Sequence, residues 1–276
     1  MRVKRNVYLL NLSKVILVVG ILSFICLLGN FGILEAANPY GASNISQKNT
    51  STATPDNPLS HAAQAGNVTE LNIFGYSTTL SWQGYYGNVT GTIQLADSSD
   101  SVMYNWSLAS PEGEIYSSTS DSILWTNIQC FNFTATGTYG DDSANRGGTS
   151  QYGMNLTQLE SSFNINATDV DGVNETFALN TTPEAHDLFY TNSLEFEAGE
   201  CPSTFVYDHT GQGVDDNFEE VLLYDPEVQS VVFASILEKN LVGFDNRSHD
   251  FEMLVLEDGH GTDTSTTNYY FYVELQ

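Results

Sequence analysis

The hydrophobic residues after position 66 come in short runs that suit β-strands. The runs are rich in β-branched and aromatic side chains, and Gly, Asp, Asn and Ser separate them. They are Val68–Phe74, Val89–Leu95, Met103–Leu108, Cys130–Ala135, Val221–Tyr224 and Val231–Leu237. About 210 residues of short strands with turn signals are typical of a mainly β protein. The pattern predicts an antiparallel β-sandwich, one large or two small, with one or two short helices.

The last two apolar runs are predicted to form a β-hairpin. Phe251–Leu256 and Asn268–Leu275 flank a loop that contains Gly, Asp and Thr. Side chains alternate between the faces of a strand, so the final run presents two sets. One set is Tyr269, Phe271, Val273 and Leu275, and the other is Tyr270, Tyr272 and Glu274.

One helix signal stands out in the middle of the chain. Leu156–Phe163 follows Asn155, a favourable N-cap residue, and Gln158 lies three positions after that asparagine. The pattern predicts a helix of about two turns that begins with a capping box.

A longer apolar run, Val15–Gly29, lies near the N-terminus behind the four basic residues Arg2, Lys4, Arg5 and Lys14. A basic stretch before an apolar core is typical of an export signal. The run is intermediate in length between a signal-peptide core and a membrane span. Ala37 suits cleavage before Asn38, whereas Glu35 does not. Residues 1–37 are therefore predicted to be a signal peptide or a membrane anchor, and both alternatives stay open.

The following stretch, residues 38–66, is rich in Ser, Thr, Asn and Pro and has no sustained apolar period. Such a composition predicts an extended stalk or linker. The β-sandwich ectodomain is expected to occupy residues 67–276. This organisation places the ectodomain outside the cytoplasm, either anchored at the cell surface or secreted.

The charge of the chain narrows the classes of partner. The chain has 8 Lys+Arg and 34 Asp+Glu, which gives a net charge of −26. Four of the bases precede residue 15, so from Asn38 onward four bases and 33 acids give −29. Nucleic-acid binding is excluded because phosphate contacts need clustered Lys and Arg. Membrane contact is expected only through the N-terminal helix. The acids are expected to form a solvated exterior.

The chain also carries an excess of N-glycosylation sequons. Composition alone predicts roughly four or five Asn-X-Ser/Thr triplets after residue 37, and the chain has about twice as many. The eleven asparagines are Asn44, Asn49, Asn67, Asn88, Asn105, Asn132, Asn155, Asn166, Asn174, Asn180 and Asn246. The excess supports export and N-glycosylation, although Asn in β-turns accounts for some of these triplets.

Two of the three cysteines lie in the predicted ectodomain. Cys26 is inside the apolar run, which leaves Cys130 and Cys201 as the exported pair. In an oxidising compartment they are predicted to form one disulfide. The loop it closes has about 70 residues, so chain entropy predicts a stabilisation of about 4 kcal/mol.

Three loops rich in Asp and Gly are candidate calcium sites, because Ca²⁺ prefers flexible oxygen ligands. Their candidate ligands are Asp169, Asp171, Asn174 and Glu175 in the first loop, Asp208, Asp215, Asp216 and Glu219 in the second, and Asp258 and Asp263 in the third. The first loop does not have EF-hand spacing. Ordinary β-turns are the competing interpretation. His186, His209 and His249 each adjoin an Asp and are a weaker candidate for a mixed metal site.

Tyr85 and Tyr86 are candidate ligand-binding residues, because exposed aromatic rings stack on sugars. A hairpin turn is the alternative interpretation, and Trp82, Trp106 and Trp125 are expected to be buried. The sequence contains no nucleophile elbow, HExxH helix, phosphate-binding loop or dinucleotide fingerprint. A non-enzymatic protein is therefore predicted, although a hydrolase with paired carboxylates stays open.

Several stretches are distinctive enough to indicate a resemblance. They are GNVTELNIFG, SWQGYYGNVTGTIQLADSSD, YNWSLASPEGEIY, QCFNFTATGTY, HDLFYTNSLEF, ECPSTFVYDHTG and HDFEMLVLEDGHGTDTSTTNYYFYVEL. From Gly66 to the end, the chain resembles secreted, Asn-rich archaeal cell-surface proteins. The resemblance implies an archaeal cell surface and carries no particular activity.

Together these patterns favour an N-glycosylated structural or adhesion protein of the cell surface, as an envelope or filament component. Its expected partners are other envelope proteins, itself or glycans. Open strand edges, or an extended segment such as Thr50–Gly66, are candidates for joining subunits by strand addition. The alternative is a calcium-dependent carbohydrate or ligand-binding module, and a secreted hydrolase is less favoured.

Overall fold

The computed structural model describes residues 38–108, 112–136, 153–178, 186–260 and 264–275. The predicted export helix, the sequon at Asn180 and the candidate ligand Asp263 lie outside these ranges. The described part of the protein is mainly β, with antiparallel strands and two short helices. The predicted fold class is confirmed to this extent. The longest described helix has seven residues, and none in the described ranges has the length and hydrophobicity needed to cross a membrane.

Seven strands form one antiparallel sheet, here called the main sheet. They are β1 (Tyr40–Gly41), β5 (Gly113–Ser118), β6 (Gln129–Cys130), β9 (Ser203–Phe205), β10 (Glu219–Asp225), β11 (Ser230–Ile236) and β15 (Tyr270–Leu275). Their order is β1-β15-β5-β11-β10-β6, and β9 also pairs with β10. All residues of β10 are buried, and so are all but the last of β11.

The other described strands form four two-stranded antiparallel pairs. These are β2 (Trp82–Gly87) with β14 (Phe251–Leu256), β3 (Thr92–Ala96) with β4 (Val102–Ser107), β7 (Phe189–Thr191) with β8 (Leu194–Phe196), and β12 (Leu241–Val242) with β13 (Ser248–His249). Three of these pairs include a buried residue on at least one strand, whereas β3 and β4 are exposed throughout.

Both faces of the main sheet are covered. On one face, Leu222 and Phe233 pack in a cluster with Met253 and Val255 of β14, and Trp82 of β2 lies edge-on to Phe233. On the other face, the β7–β8 pair completes a second cluster with Cys130 and Cys201. The continuous apolar runs of β10 and β11 explain this position, because a strand buried on both faces needs apolar side chains at successive residues.

The predicted C-terminal hairpin is wrong in its pairing. Both strands exist, but β14 pairs with β2, and β15 pairs with β5 and β1. The connection 257–269 is long enough to carry the chain from one layer to the other. The alternation within the last strand is confirmed, since Phe271, Val273 and Leu275 pack in the first cluster and Tyr272 in the second. The strand therefore contributes side chains to both clusters, and this fixes it within the main sheet.

The predicted helix and its cap are confirmed. Helix α1 (Leu156–Ser162) begins after Asn155, whose side chain accepts a hydrogen bond from the Gln158 backbone at 3.0 Å. The Gln158 side chain in turn accepts one from the Asn155 backbone at 3.0 Å. A second helix, α2 (Val173–Thr176), follows. The capping box forms because both partners are close in sequence.

The predicted disulfide is also confirmed. Cys130 and Cys201 are bonded, with their Cα atoms 5.0 Å apart, and both are buried. Cys130 lies in β6 and Cys201 precedes β9, and these two short strands pair with neighbouring parts of the same edge of β10. The bond therefore fastens together two strands that would otherwise depend on a few backbone hydrogen bonds each.

Candidate functional site

The β3–β4 hairpin has one polar and one apolar face. Cross-strand partners lie on the same face, and Ile93 is opposite Trp106 while Leu95 is opposite Tyr104. The polar face carries Thr92 opposite Ser107 and Gln94 opposite Asn105. Alternating polarity of this kind normally buries the apolar face against a second layer.

The apolar face of this hairpin is exposed in the structure. Ile93, Leu95, Tyr104 and Trp106 are 47%, 51%, 60% and 51% exposed, and the rings of Tyr104 and Trp106 lie 5.0 Å apart. The expectation that Trp106 is buried is therefore wrong, whereas Trp125 is buried and Trp82 is half-buried. Trp106 is exposed because no other described element packs over its face of the hairpin. We call these four residues the hairpin face.

A second exposed apolar feature precedes β2. Residues 67–80 contain Leu71, Ile73, Phe74, Tyr76 and Leu80, all at least half exposed. The strand expected at Val68–Phe74 is absent, and within the described ranges residues 68–79 make no backbone–backbone hydrogen bond. The segment is fixed to the body at its C-terminal end, where the Leu80 and Ser81 carbonyls accept hydrogen bonds from Gly259 and Glu257. We call residues 71–79 the free segment.

These two features share an unusual lack of charge. No Asp, Glu, Lys or Arg occurs from Leu71 to Ala96, although the chain carries 34 acids. The only acids between Leu71 and Pro111 are Asp97 and Asp100, in the turn of the hairpin. An exposed apolar surface without charge is typical of an interaction site.

Ten of the eleven sequon asparagines lie within the residues that the structure describes. Eight are exposed: Asn44, Asn49, Asn67, Asn88, Asn105, Asn166, Asn174 and Asn246. Asn105 is on the polar face of β4, so a glycan there would leave the hairpin face clear. Asn132 and Asn155 are partly buried, and the Asn155 Nδ2 donates to the Ala135 carbonyl at 3.1 Å. Since Nδ2 is the atom that carries an N-glycan, Asn155 is the least suited of the ten.

The structure brings part of the first and third acidic loops together. His260 lies 3.8 Å from Asp169 and 3.7 Å from Asp258. Asp171 instead accepts a hydrogen bond from Thr79, and its carbonyl accepts one from the Trp82 indole. Asn174 and Glu175 are exposed on α2. Most of these candidate ligands accept hydrogen bonds from other groups of the protein. They do not converge on one point.

The second acidic loop contributes two carboxylates to the one cluster, among the described residues, that could hold a metal ion. Asp187, Asp216 and Glu219 each offer an oxygen, and these oxygens lie within 4.8 Å of one another. The Asp208 side chain accepts hydrogen bonds from Thr210 within its own turn. Asp215 is not a member of the cluster. Asp187 was identified in the sequence only as a neighbour of His186, because its partners are about 30 residues away.

The carboxylates of this cluster repel one another. Burial raises the pKa of Glu219 to about 7. Hydrogen bonds from the Asp187 and Asp216 backbones have the opposite, smaller effect on this pKa. Burial, together with Glu219, Asp187 and Asp216, raises the pKa of Glu238 to about 7. A divalent cation bound between these groups would relieve this repulsion.

Tyr85 and Tyr86 lie on opposite sides of β2. Tyr85 is half-buried and meets Phe271 edge-on at 5.2 Å. Tyr86 is exposed beside Phe244 at 5.0 Å, and the Arg247 guanidinium lies 6.0 Å from its ring centre. Only Tyr86 is therefore available to a ligand, because adjacent strand residues point to opposite faces.

A pair of buried glutamates lies across β5 and β15. Glu114 and Glu274 are opposite each other, and both are 3% exposed. Burial and the Glu274 carboxylate raise the pKa of Glu114 well above its usual value. Glu274 accepts hydrogen bonds from Tyr116 and from the Asn192 backbone, and burial raises its pKa to about 7. This pair can hold a proton, but it offers no access for the substrate of a hydrolase.

Comparison of the chain with protein-family models, with curated proteins and with solved structures found no match. The interpretation of function therefore depends on the residues and geometry described above.

Proposed function

We propose that the chain is an extracytoplasmic, N-glycosylated structural or adhesion protein of the cell surface and is not an enzyme. It acts by binding other envelope proteins or further copies of itself. The observation that carries this proposal is the exposed, uncharged hairpin face in a strongly acidic chain. The exposed sequon on the back of that hairpin supports it, because a glycan there would orient the apolar face toward a partner.

The finer architecture and location belong to the same proposal. The β2–β14 pair and the main sheet form the two layers of one β-sandwich, and the β7–β8 pair covers the outer face. Residues 1–37 direct export and are either removed or kept as an anchor. The surface of an archaeal cell is the setting that the sequence resemblance implies.

The proposal is tested on protein isolated from its source cells. Intact mass measurement and glycopeptide mapping are expected to find N-glycans at several of the eight exposed sequons and an unmodified Asn155. Labelling of intact cells with an antibody and electron microscopy are expected to locate the protein outside the cytoplasmic membrane. A cytoplasmic, unglycosylated product would contradict the proposal.

A second candidate function is a Ca²⁺-dependent binding module, which the Asp187–Asp216–Glu219 cluster favours. For a Kd of about 10 μM, about 1 mM Ca²⁺ would stabilise the folded state by about 2.7 kcal/mol. For a domain of this size we expect Tm to rise by about 5–10 °C, and EDTA should reverse the rise. Differential scanning calorimetry measures this shift.

The cluster offers a matched control for the calcium experiment. Asp187→Asn combined with Asp216→Asn should abolish the shift in Tm. Asp169→Asn, in the first acidic loop and outside the cluster, should keep it. A wild-type Tm that is the same with Ca²⁺ and with EDTA would remove this second candidate.

A further inference from the structure

The β3–β4 hairpin has open strand edges as well as an exposed apolar face. The β3–β4 sheet has only two strands, and among the described residues no backbone hydrogen bond joins either strand to another sheet. An isolated two-stranded hairpin is marginally stable in water, and a third strand stabilises it. The hairpin is therefore suited to accept an extended strand along one edge.

The free segment has the complementary properties. Leu71, Ile73, Phe74 and Tyr76 give it the composition of a strand, yet its backbone has no strand partner in the described structure. Ile73 and Phe74 are 88% and 91% exposed. An extended, apolar segment with free backbone donors and acceptors can add to a sheet edge.

The two features lie beyond opposite ends of β2. The free segment joins β2 at Leu80, whereas the hairpin follows Gly87, and six strand residues separate these points by about 20 Å. One copy thus presents the segment at one end and the acceptor at the other. Contacts of this head-to-tail kind are heterologous, and they build open chains of subunits unless they close into a ring.

The contact surfaces themselves are uncharged, which suits an uncharged strand such as the free segment of a second copy. Neither the free segment nor β3 carries a charged residue, so the docked strands would bring no like charges together. The net charge of −26 acts at longer range, where salt screens it.

We propose that the β3–β4 hairpin binds a second copy of this chain, whose free segment adds as a strand to one edge of the hairpin and packs its apolar side chains beside the hairpin face. This inference rests on the proposed function for its surface setting and goes further by naming the partner and the segment. Each copy donates one strand and accepts one, so copies join head to tail.

The test uses the full-length chain in mild detergent at about 0.5 M salt, where repulsion between copies is screened. Ile93→Asp on the hairpin face and Phe74→Asp in the free segment should each weaken self-association at least tenfold. Thr92→Asp adds the same charge to the polar face of the same strand and should leave it unchanged. Sedimentation velocity measures the association, and urea unfolding shows that the variants remain folded.

A mixing experiment identifies the geometry. Ile93→Asp keeps an intact free segment, and Phe74→Asp keeps an intact hairpin face. Each variant alone is expected to be monomeric, while an equimolar mixture should form one-to-one dimers that grow no further. Electron microscopy of the wild type should show chains that neither variant forms.

Three results would overturn the inference. They are a wild type that stays monomeric, an association that Ile93→Asp abolishes but Phe74→Asp does not, and equal loss with Thr92→Asp. None of these results would alter the location or glycosylation of the protein, so the inference and the proposed function fail by different measurements.

Discussion

The folded protein is expected to lose stability as the pH rises from about 4.5 to about 7. Burial raises the pKa of Glu219, Glu238, Glu252 and Glu274 to about 7, from an ordinary value of 4.5. Below pH 4.5 these groups are protonated in both states, so their burial costs little. Between 4.5 and 7 the unfolded chain ionises first, and folding must then take up protons. Above pH 7 the loss is complete.

Glu274→Gln isolates one of these groups. A shift from 4.5 to about 7 corresponds to about 3 kcal/mol for a single carboxyl. The variant should therefore be more stable than the wild type at pH 8, by up to about 3 kcal/mol, and nearly equal to it at pH 4.

Urea unfolding of wild type and variant at both pH values measures this effect. Glu112→Gln is the control, because Glu112 is exposed just before β5 and should have no comparable pH-dependent effect. If Glu274→Gln changed the free energy of unfolding equally at pH 4 and pH 8, its role would be packing rather than protonation.

Removal of the disulfide is the second large effect. Replacing both Cys130 and Cys201 with Ala is expected to lower the free energy of unfolding by about 4 kcal/mol, because the loop between them spans 71 residues. The loss of packing at two buried positions adds to it. The reduced protein should lose β6 and β9 from the edge of β10 before the rest of the sheet unfolds.

Urea unfolding with and without dithiothreitol measures this contribution. Reduction should shift the midpoint of the wild type toward lower urea and leave the double variant unchanged. A wild-type midpoint that dithiothreitol does not move would show that the bond is not formed in solution.

The sequence predicted those features that depend on neighbouring residues. Helix α1 was found because Asn155 and Gln158 complete the capping box within four residues. The strand around Val221–Tyr224 was found because its side chains are apolar at successive positions, and Phe251–Leu256 was found because five of its six side chains are apolar. The pairing of β14 with β2 was missed, because both partners and their register are set by the packing of whole layers.

The acids show a second limit of sequence reasoning. They were expected on a solvated exterior, yet Glu219 and Glu220 are buried in the main sheet. Adjacent strand residues point to opposite faces, so two successive acids in a strand buried on both faces must both lose solvent. The position of Glu220 beside the run Val221–Tyr224 was the available signal. The carboxylate cluster was only partly predicted, because Asp187 comes from a different part of the chain.

The short strand β1 has a mechanical consequence. Only Tyr40 and Gly41 pair with β15, and the Ala42 backbone adds one hydrogen bond to Phe271. A pulling force applied at residue 38 would detach this strand first, because so few bonds hold it and none of the core residues lies in it. The released residues, up to the start of β2, would then extend to roughly 140 Å before the load reached the sheet. Under tension the protein would behave as a long elastic tether that ends in a disulfide-reinforced body.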